Sequence, residues 1–156
     1  MNSLKIAIIL IAVGVMGLFA MNLYSQPRYT ISSSDFQSNG ERIYFTATSN
    51  SGKPIISSIG AMTMRSGMMS CAACHGVDGK GGRGRMMMWT FNASDIRYSS
   101  LTGARGNETP YTDELIKRAI MQGVDADGKW LDPPMPVWQM SDSDLNDLLG
   151  YLKTLK

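Results

Sequence analysis

Both cysteines of the chain, Cys71 and Cys74, and its single histidine, His75, fall within five consecutive positions of the stretch MMSCAACHGVDGKGGRG. Scattered at random, two cysteines and one histidine would form C-x-x-C-H on the order of once in ten thousand arrangements, so the cluster marks a site. A disulfide or a redox-active C-x-x-C leaves the histidine without a role and expects a βαβ setting that the flanking sequence lacks. Structural zinc wants four nitrogen or sulfur ligands, and the chain has three such Cys and His residues in all. What the spacing does serve is covalent attachment of one c-type haem. Each thiol can add to one vinyl group of the porphyrin, and His75, next along the turn, presents its imidazole to the iron from the proximal side. The domain must then fold around a large, flat, apolar group.

With His75 committed, the sixth iron ligand is a methionine, a weaker ligand such as Lys or Tyr, or a vacancy. Among thirteen methionines, Met135 stands in D-P-P-M-P, a proline-stiffened loop well downstream of His75 and between two helical patterns. Prolines on both sides restrict the backbone and present the thioether at small entropic cost. Met140, at the cap of the next helix, is the reserve candidate; ordinary core filling is the alternative for Met135. If His75 and Met135 both bind, no position is open to substrate, and thioether ligation with burial favours the reduced state. Transfer of one electron follows. A vacant or displaceable sixth position would instead suit a haem peroxidase or a gas sensor.

At the N-terminus Lys5 precedes an apolar run over residues 6–21, extended by Leu4, Leu23 and Tyr24. This is an export signal. It comes close to the roughly 20 residues a helical span needs and no good small-x-small cleavage site follows it, so residues 1–24 are expected to stay as a signal anchor. Cleavage would leave the protein soluble in the periplasm. Lys5 places the N-terminus in the cytoplasm and the rest on the outer, periplasmic side of the cytoplasmic membrane, where haem attachment also belongs. A net charge of +2 singles out no partner and gives no reason to expect nucleic acid. Its distribution says more: residues 76–106 carry Lys80, Arg83, Arg85, Arg97 and Arg105 against Asp78 and Asp95, whereas residues 107–147 carry nine carboxylates against Lys117, Arg118 and Lys129. Such a dipole can orient a domain before docking.

Residues 25–38 are polar and aperiodic and read as a tether; residues 39–156 form the domain. A short helix is predicted over 35–47, with Gly40 and Tyr44 four apart on one face. Residues 48–70, rich in Ser, Gly and Met and interrupted by Pro54, read as a long surface loop. Thr112 caps a helix that has Asp113 and Glu114 in its first turn and stops at Gly123. The last helix starts at Ser141, where Asp144 stands in for the Glu of a capping box, and Leu145, Leu148, Leu149, Leu152 and Leu155 recur at helical spacing. No alternating strand pattern of any length is present, so the expected fold class is all-α.

In these residues the chain resembles the monohaem class I cytochromes c. The resemblance rests on C-A-A-C-H-G at 71–76, the following D-G-K-G-G, the helix T-D-E-L-I-K-R-A-I, the M-P of Met135 and Pro136, and the terminal S-D-S-D-L-N-D-L-L-G-Y-L. It implies about three to five short helices around one covalent haem c, with a crossing of the first and last helices at Gly40 and Tyr44 against Leu148 and Tyr151. It also implies a redox protein or a membrane respiratory complex as partner, with the protein acting as a tethered shuttle or a dedicated subunit. Two departures stand out. The family joins its first helix to the haem motif by a few residues, where this chain has 48–70. It often uses a proline carbonyl to orient the histidine, and no proline lies between His75 and Thr109, so another carbonyl must serve.

Other features have competing readings. Met62, Met64, Met68, Met69 and Met86 to Met88 could form a soft docking collar, pack around the porphyrin, or hold Cu(I). G-V-D-G-K-G-G-R-G matches no phosphate loop and reads as clearance for the ring. Arg83, Arg85, Arg97 or Arg105 could pair with propionates or be solvated; Trp130 could donate to a propionate or pack in the core or a loop. Asp125, Asp127 and Gly128 begin like an EF-hand, but Pro136 occupies the position of the final Glu, so a turn is expected.

Overall fold

The computed structural model describes residues 11, 15, 35–65, 67–86, 89–103, 106 and 109–156. The chain divides into two units, Met1–Ser32 and Ser33–Lys156. Of the first, Ile11 and Val15 are described, both helical and exposed; the expected anchor and most of the tether otherwise lie outside the described residues, as do Met87, Met88 and Arg105. Among the described residues no helix is long and apolar enough to cross a membrane.

The second unit holds five helices and five strands among its described residues. Helix α1 is Asn39–Thr46. It begins later than the predicted 35 because Ser38 caps it, accepting the Glu41 N–H at 3.0 Å, and it ends where Ala47 turns left-handed at φ 50°. The predicted loop then departs from expectation: strands β1 (Ile56–Ile59) and β2 (Met62–Met64) form an antiparallel hairpin about Gly60. Inward positions alternate, with Ile55 1% and Ser57 2% exposed. A serine at the centre of that alternation made it read as polar loop. The one-turn helix α2, Cys71–His75, is capped by Ser70. It leads into a second hairpin of β3 (Gly82–Met86) and β4 (Trp89–Ala93), and then helix α3, Tyr98–Thr102.

Helix α4, Asp113–Gln122, has Thr112 as its cap and Gly123, at φ 69°, as its stop, as its sequence signals require. Strand β5, Val137–Gln139, pairs with β1, giving a sheet of order β2-β1-β5. Helix α5, Asp142–Leu152, closes the fold. The helices thus match the expectation and the two small sheets correct it: the fold is helical with strands, not all-α.

Helices α1 and α5 cross at Gly40, where a Cβ would stand 2.0 Å from the Asp147 carbonyl oxygen and 2.9 Å from Tyr151 Cβ. Tyr44, fully buried, sets its ring 5.2 Å from that of Tyr151 in a tilted pair, and Ile43, Leu145, Leu148, Leu149 and Leu152 pack around them. Asp144 ties this crossing to the chain leaving α1. Its carboxylate accepts from Asn39 Nδ2 at 3.0 Å, from Ser141 Oγ at 2.7 Å and from Ser49 Oγ. Burial alone would raise the pKa of Asp144, but the donors from Ser49, Ser141 and Asn39 outweigh it and hold the group below its ordinary 3.8.

A depressed carboxylate pKa contributes stability that is present above the unfolded value and lost as pH falls through the folded one. Asp144→Asn is therefore expected to cost roughly 2 kcal/mol at neutral pH and to flatten the loss of stability below pH 3.8, measured by denaturant unfolding across pH. An acid limb as steep as that of the wild type would show that Asp144 contributes nothing to it.

Candidate functional site

One turn of α2 sets Cys71 and Cys74 three residues apart on the same side of the helix and ends on His75. The two cysteines are unbonded to each other. Burial pushes the Cys71 thiol up to about 12, with Cys74 adding to the rise, and burial raises Cys74 as well. A redox dithiol is favoured by the opposite shift. Nor does any group of three or more His, Cys, Asp and Glu among the described residues stand ready to hold a metal ion.

His75 is 8% exposed, and its Nδ1 lies 2.8 Å from the Ser94 carbonyl oxygen. A carbonyl can only accept, so Nδ1 carries the proton and Nε2 keeps its lone pair. Burial lowers the imidazole pKa, with the Ser94 contact opposing, a shift that favours the neutral ring. Ser94 thus fills the role that no proline was available to fill. Its carbonyl reaches His75 because Gly81 lets it: at φ 73°, a Cβ on Gly81 would stand 2.1 Å from the Ala93 oxygen and 2.6 Å from that of Ser94. The Gly81 N–H meanwhile donates to the His75 carbonyl at 2.9 Å. From the other side, the Tyr44 hydroxyl donates to the Gly76 carbonyl at 2.6 Å, and burial raises its pKa so that the donor proton stays on.

A cavity of about 670 Å³ opens beside α2, and Cys71, Cys74, His75 and Met135 all line it. Its walls are largely apolar, drawn from Phe91 and Leu101 and from Ile116 and Ile120 of α4, Trp138 of β5, and Leu148 and Leu152 of α5. Met135 follows a cis Pro133–Pro134 bond, donates its N–H to the Asp132 carbonyl at 3.2 Å, and leads through Pro136 directly into β5. Met140 packs against the core but is not among the described lining residues.

The methionines ahead of the motif divide. Met69 lines the cavity; Met62 and Met68 are 49% and 71% exposed and stand away from it. Trp130 is 79% exposed and not on the described cavity wall, so it does not pack in the core. Trp138, which the sequence did not single out, is 4% exposed and does line it. Arg97 is held by Asp95, Nε to Oδ1 at 3.0 Å, and keeps that carboxyl well below its usual range. Arg83 and Arg85 are exposed on β3 opposite Asn92 and Thr90, two residues of the cavity wall. Around Asp125 the chain forms a turn, with its Oδ1 accepting from the N–H groups of Asp127 and Lys129.

If Gly81 sets the approach of Ser94 to His75, Gly81→Ala must either displace the Ser94 carbonyl or strain the turn. The expected result is a loss of roughly 2–3 kcal/mol of stability. Tyr44→Phe, which leaves the Gly76 carbonyl without its donor, is expected to cost about 1–2 kcal/mol. Chemical unfolding of the purified protein measures both, and wild-type midpoints would refute the assignment of these contacts.

Two thiols on one helical turn, an imidazole whose Nδ1 is already engaged, a thioether and apolar walls in a single cavity fit a haem attached through both sulfurs. Comparison with curated proteins and with solved structures returns no match. The model of the family described as cytochrome c matches residues 61–156, more than half of the chain and all of this site's motif. The chain therefore belongs to the cytochrome c family, carries one covalently bound haem c, and works by haem-based electron transfer.

Proposed function

We propose that the protein is a one-electron carrier in which Cys71 and Cys74 form the thioether links and His75 and Met135 are the two axial ligands. The observation that carries this reading is the single cavity lined by all four residues. Ser94 fixes the tautomer and raises the basicity of His75. The prolines around Met135 limit the backbone freedom that ligation would otherwise remove. Apolar walls from Ile116, Ile120, Leu148 and Trp138 keep water from the interior. Haem supplies one reversible electron, and a thioether ligand in an apolar setting favours its reduced state.

Both axial positions being filled, the reaction is outer-sphere and the partner is another redox protein or a membrane respiratory complex. Lys5 and the apolar run 6–21 support a domain tethered on the outer side of the cytoplasmic membrane.

Met135→Ala is expected to abolish the sulfur-to-iron charge-transfer band of the ferric protein, lower the midpoint potential and let the reduced protein bind CO. Met135→His should also lose the band and lower the potential while still refusing CO, and Met140→Leu should resemble the wild type in all three. Unchanged spectra in both Met135 variants would overturn the assignment. Fractionation of expressing cells, followed by a salt wash, tests the tether: haem-stained protein retained in the membrane pellet supports it, and full release counts against it.

A further inference from the structure

We infer that β1, a strand lying ahead of the residues matched to the family, is the positioning element that keeps the sixth position closed. The inference rests on the reading of Met135 as an axial ligand. Met135 is joined through Pro136 to Val137, the first residue of β5. Flanked by Pro134 and Pro136, it has little backbone freedom of its own, so its side chain goes where its two flanks are held. Upstream, the Leu131 N–H donates to the Gly123 carbonyl at 2.8 Å, fastening the loop to the end of α4. Downstream, β5 lies at the end of its sheet, and among the described residues its ladder partner is β1, in the register Ser58 to Val137, Ser57 to Trp138 and Ile56 to Gln139.

β1 is itself immobilised. Ile55 is 1% exposed in the core and Ser57 2% exposed, and β2 braces the strand from the other side with Met64 opposite Ser57. Met64, Ser57 and Trp138 therefore form one row across one face of the sheet, and Trp138 in that row lines the cavity together with Pro134, Met135 and Pro136. Withdrawing Met135 far enough to admit another ligand would carry Val137 and Trp138 with it and pull β5 off β1. The segment that distinguishes this chain from a short-looped relative thus decides how readily the sixth position opens, and so whether the protein remains a carrier or accepts exogenous ligands.

The test is an imidazole titration of the ferric full-length holoprotein. Met135→Ala, lacking the internal competitor, should bind imidazole far more tightly than the wild type. In an antiparallel ladder a residue is hydrogen-bonded to one neighbouring strand and the next residue to the other. Of Ser57→Pro and Ser58→Pro, one therefore removes a β1–β5 bond, and that variant is expected to gain about tenfold in imidazole affinity and to lose intensity in the sulfur-to-iron band. Leu149→Val, a core change away from the cavity lining, should lose stability without either effect. If Met135→Ala matches the wild type, the ligand assignment falls and the inference with it; if only Met135→Ala binds more tightly, the inference alone is overturned. Should the proline variants not fold, hydrogen exchange on the wild type decides. Saturating imidazole is expected to speed exchange in 56–59 and 137–139 together, and unchanged exchange in 56–59 overturns the inference.

Discussion

A Cβ at position 40 would sit 2.0 Å from the carbonyl oxygen of Asp147, so α1 and α5 touch backbone to backbone at Gly40 and any side chain there would force them apart. The remainder of the site hangs from that contact. With the helices this close, Tyr44 one turn later is sealed against Tyr151 and its hydroxyl is directed at the Gly76 carbonyl. That bond fixes the chain on the C-terminal side of His75, and it is worth about 1–2 kcal/mol because a half-buried carbonyl without a donor is costly. Ile43, Leu148 and Leu152 fill the same crossing, and Leu148 and Leu152 reach the cavity from it. The electron-transfer site is thus built on a helix crossing whose tolerance is set by one hydrogen atom.

Each face of the cavity is then trued by a hairpin. On the histidine side, β3 and β4 bring the Ser94 carbonyl to Nδ1, with Gly81 allowing the approach. On the methionine side, β1 receives β5 immediately after Met135 and Pro136. The β3 hairpin also sets Arg83 and Arg85 in solvent across from Asn92 and Thr90 of the wall, so positive charge borders the haem cavity. Arg97 does not add to it in full, since Asp95 neutralises it locally.

What could be read from the sequence was what local chemistry specifies. C-A-A-C-H forms a site by spacing alone. Thr112, Gly123, Ser141 and the leucines of α5 announce helix ends and faces through caps and periodicity, while the crossing at Gly40 and Tyr44 is implied only by the resemblance to the class I cytochromes c. What could not be read depends on partners distant in the chain. β1 hides because its buried centre is Ser57, which carries no hydrophobic signal, and because one of its two pairing partners, β5, is far downstream. Ser94 acts through a backbone carbonyl, which every residue has, so no residue type could point to it. Trp130 and Trp138 look alike in sequence, yet one is 79% and the other 4% exposed; the difference is that Trp138 lies on a strand whose neighbour, β1, was itself unseen.

The two proposed ligands, His75 and Met135, differ in how they would have to be held, and this accounts for where the added structure went. His75 is contiguous with Cys71 and Cys74 on one turn of helix, so thioethers at those cysteines would place it and leave only its ring orientation to fix, a task that one carbonyl accomplishes. Met135 comes from beyond α3 and α4 and has no covalent link to the group it would bind. Its position must be fixed by conformational restriction and non-covalent contact, each worth about 1 kcal/mol. Several are accordingly assembled on it: prolines on both sides, the Leu131–Gly123 bond, and a three-residue strand laid on β1. A hold built from several such contacts is cooperative, since losing the strand frees the prolines to move as a unit. On the proposed ligation the Met135 side is therefore the part of this site most open to change by substitution, whereas the His75 side, held by Ser94 and Tyr44 and by the thioethers that Cys71 and Cys74 would form, is the part least able to move.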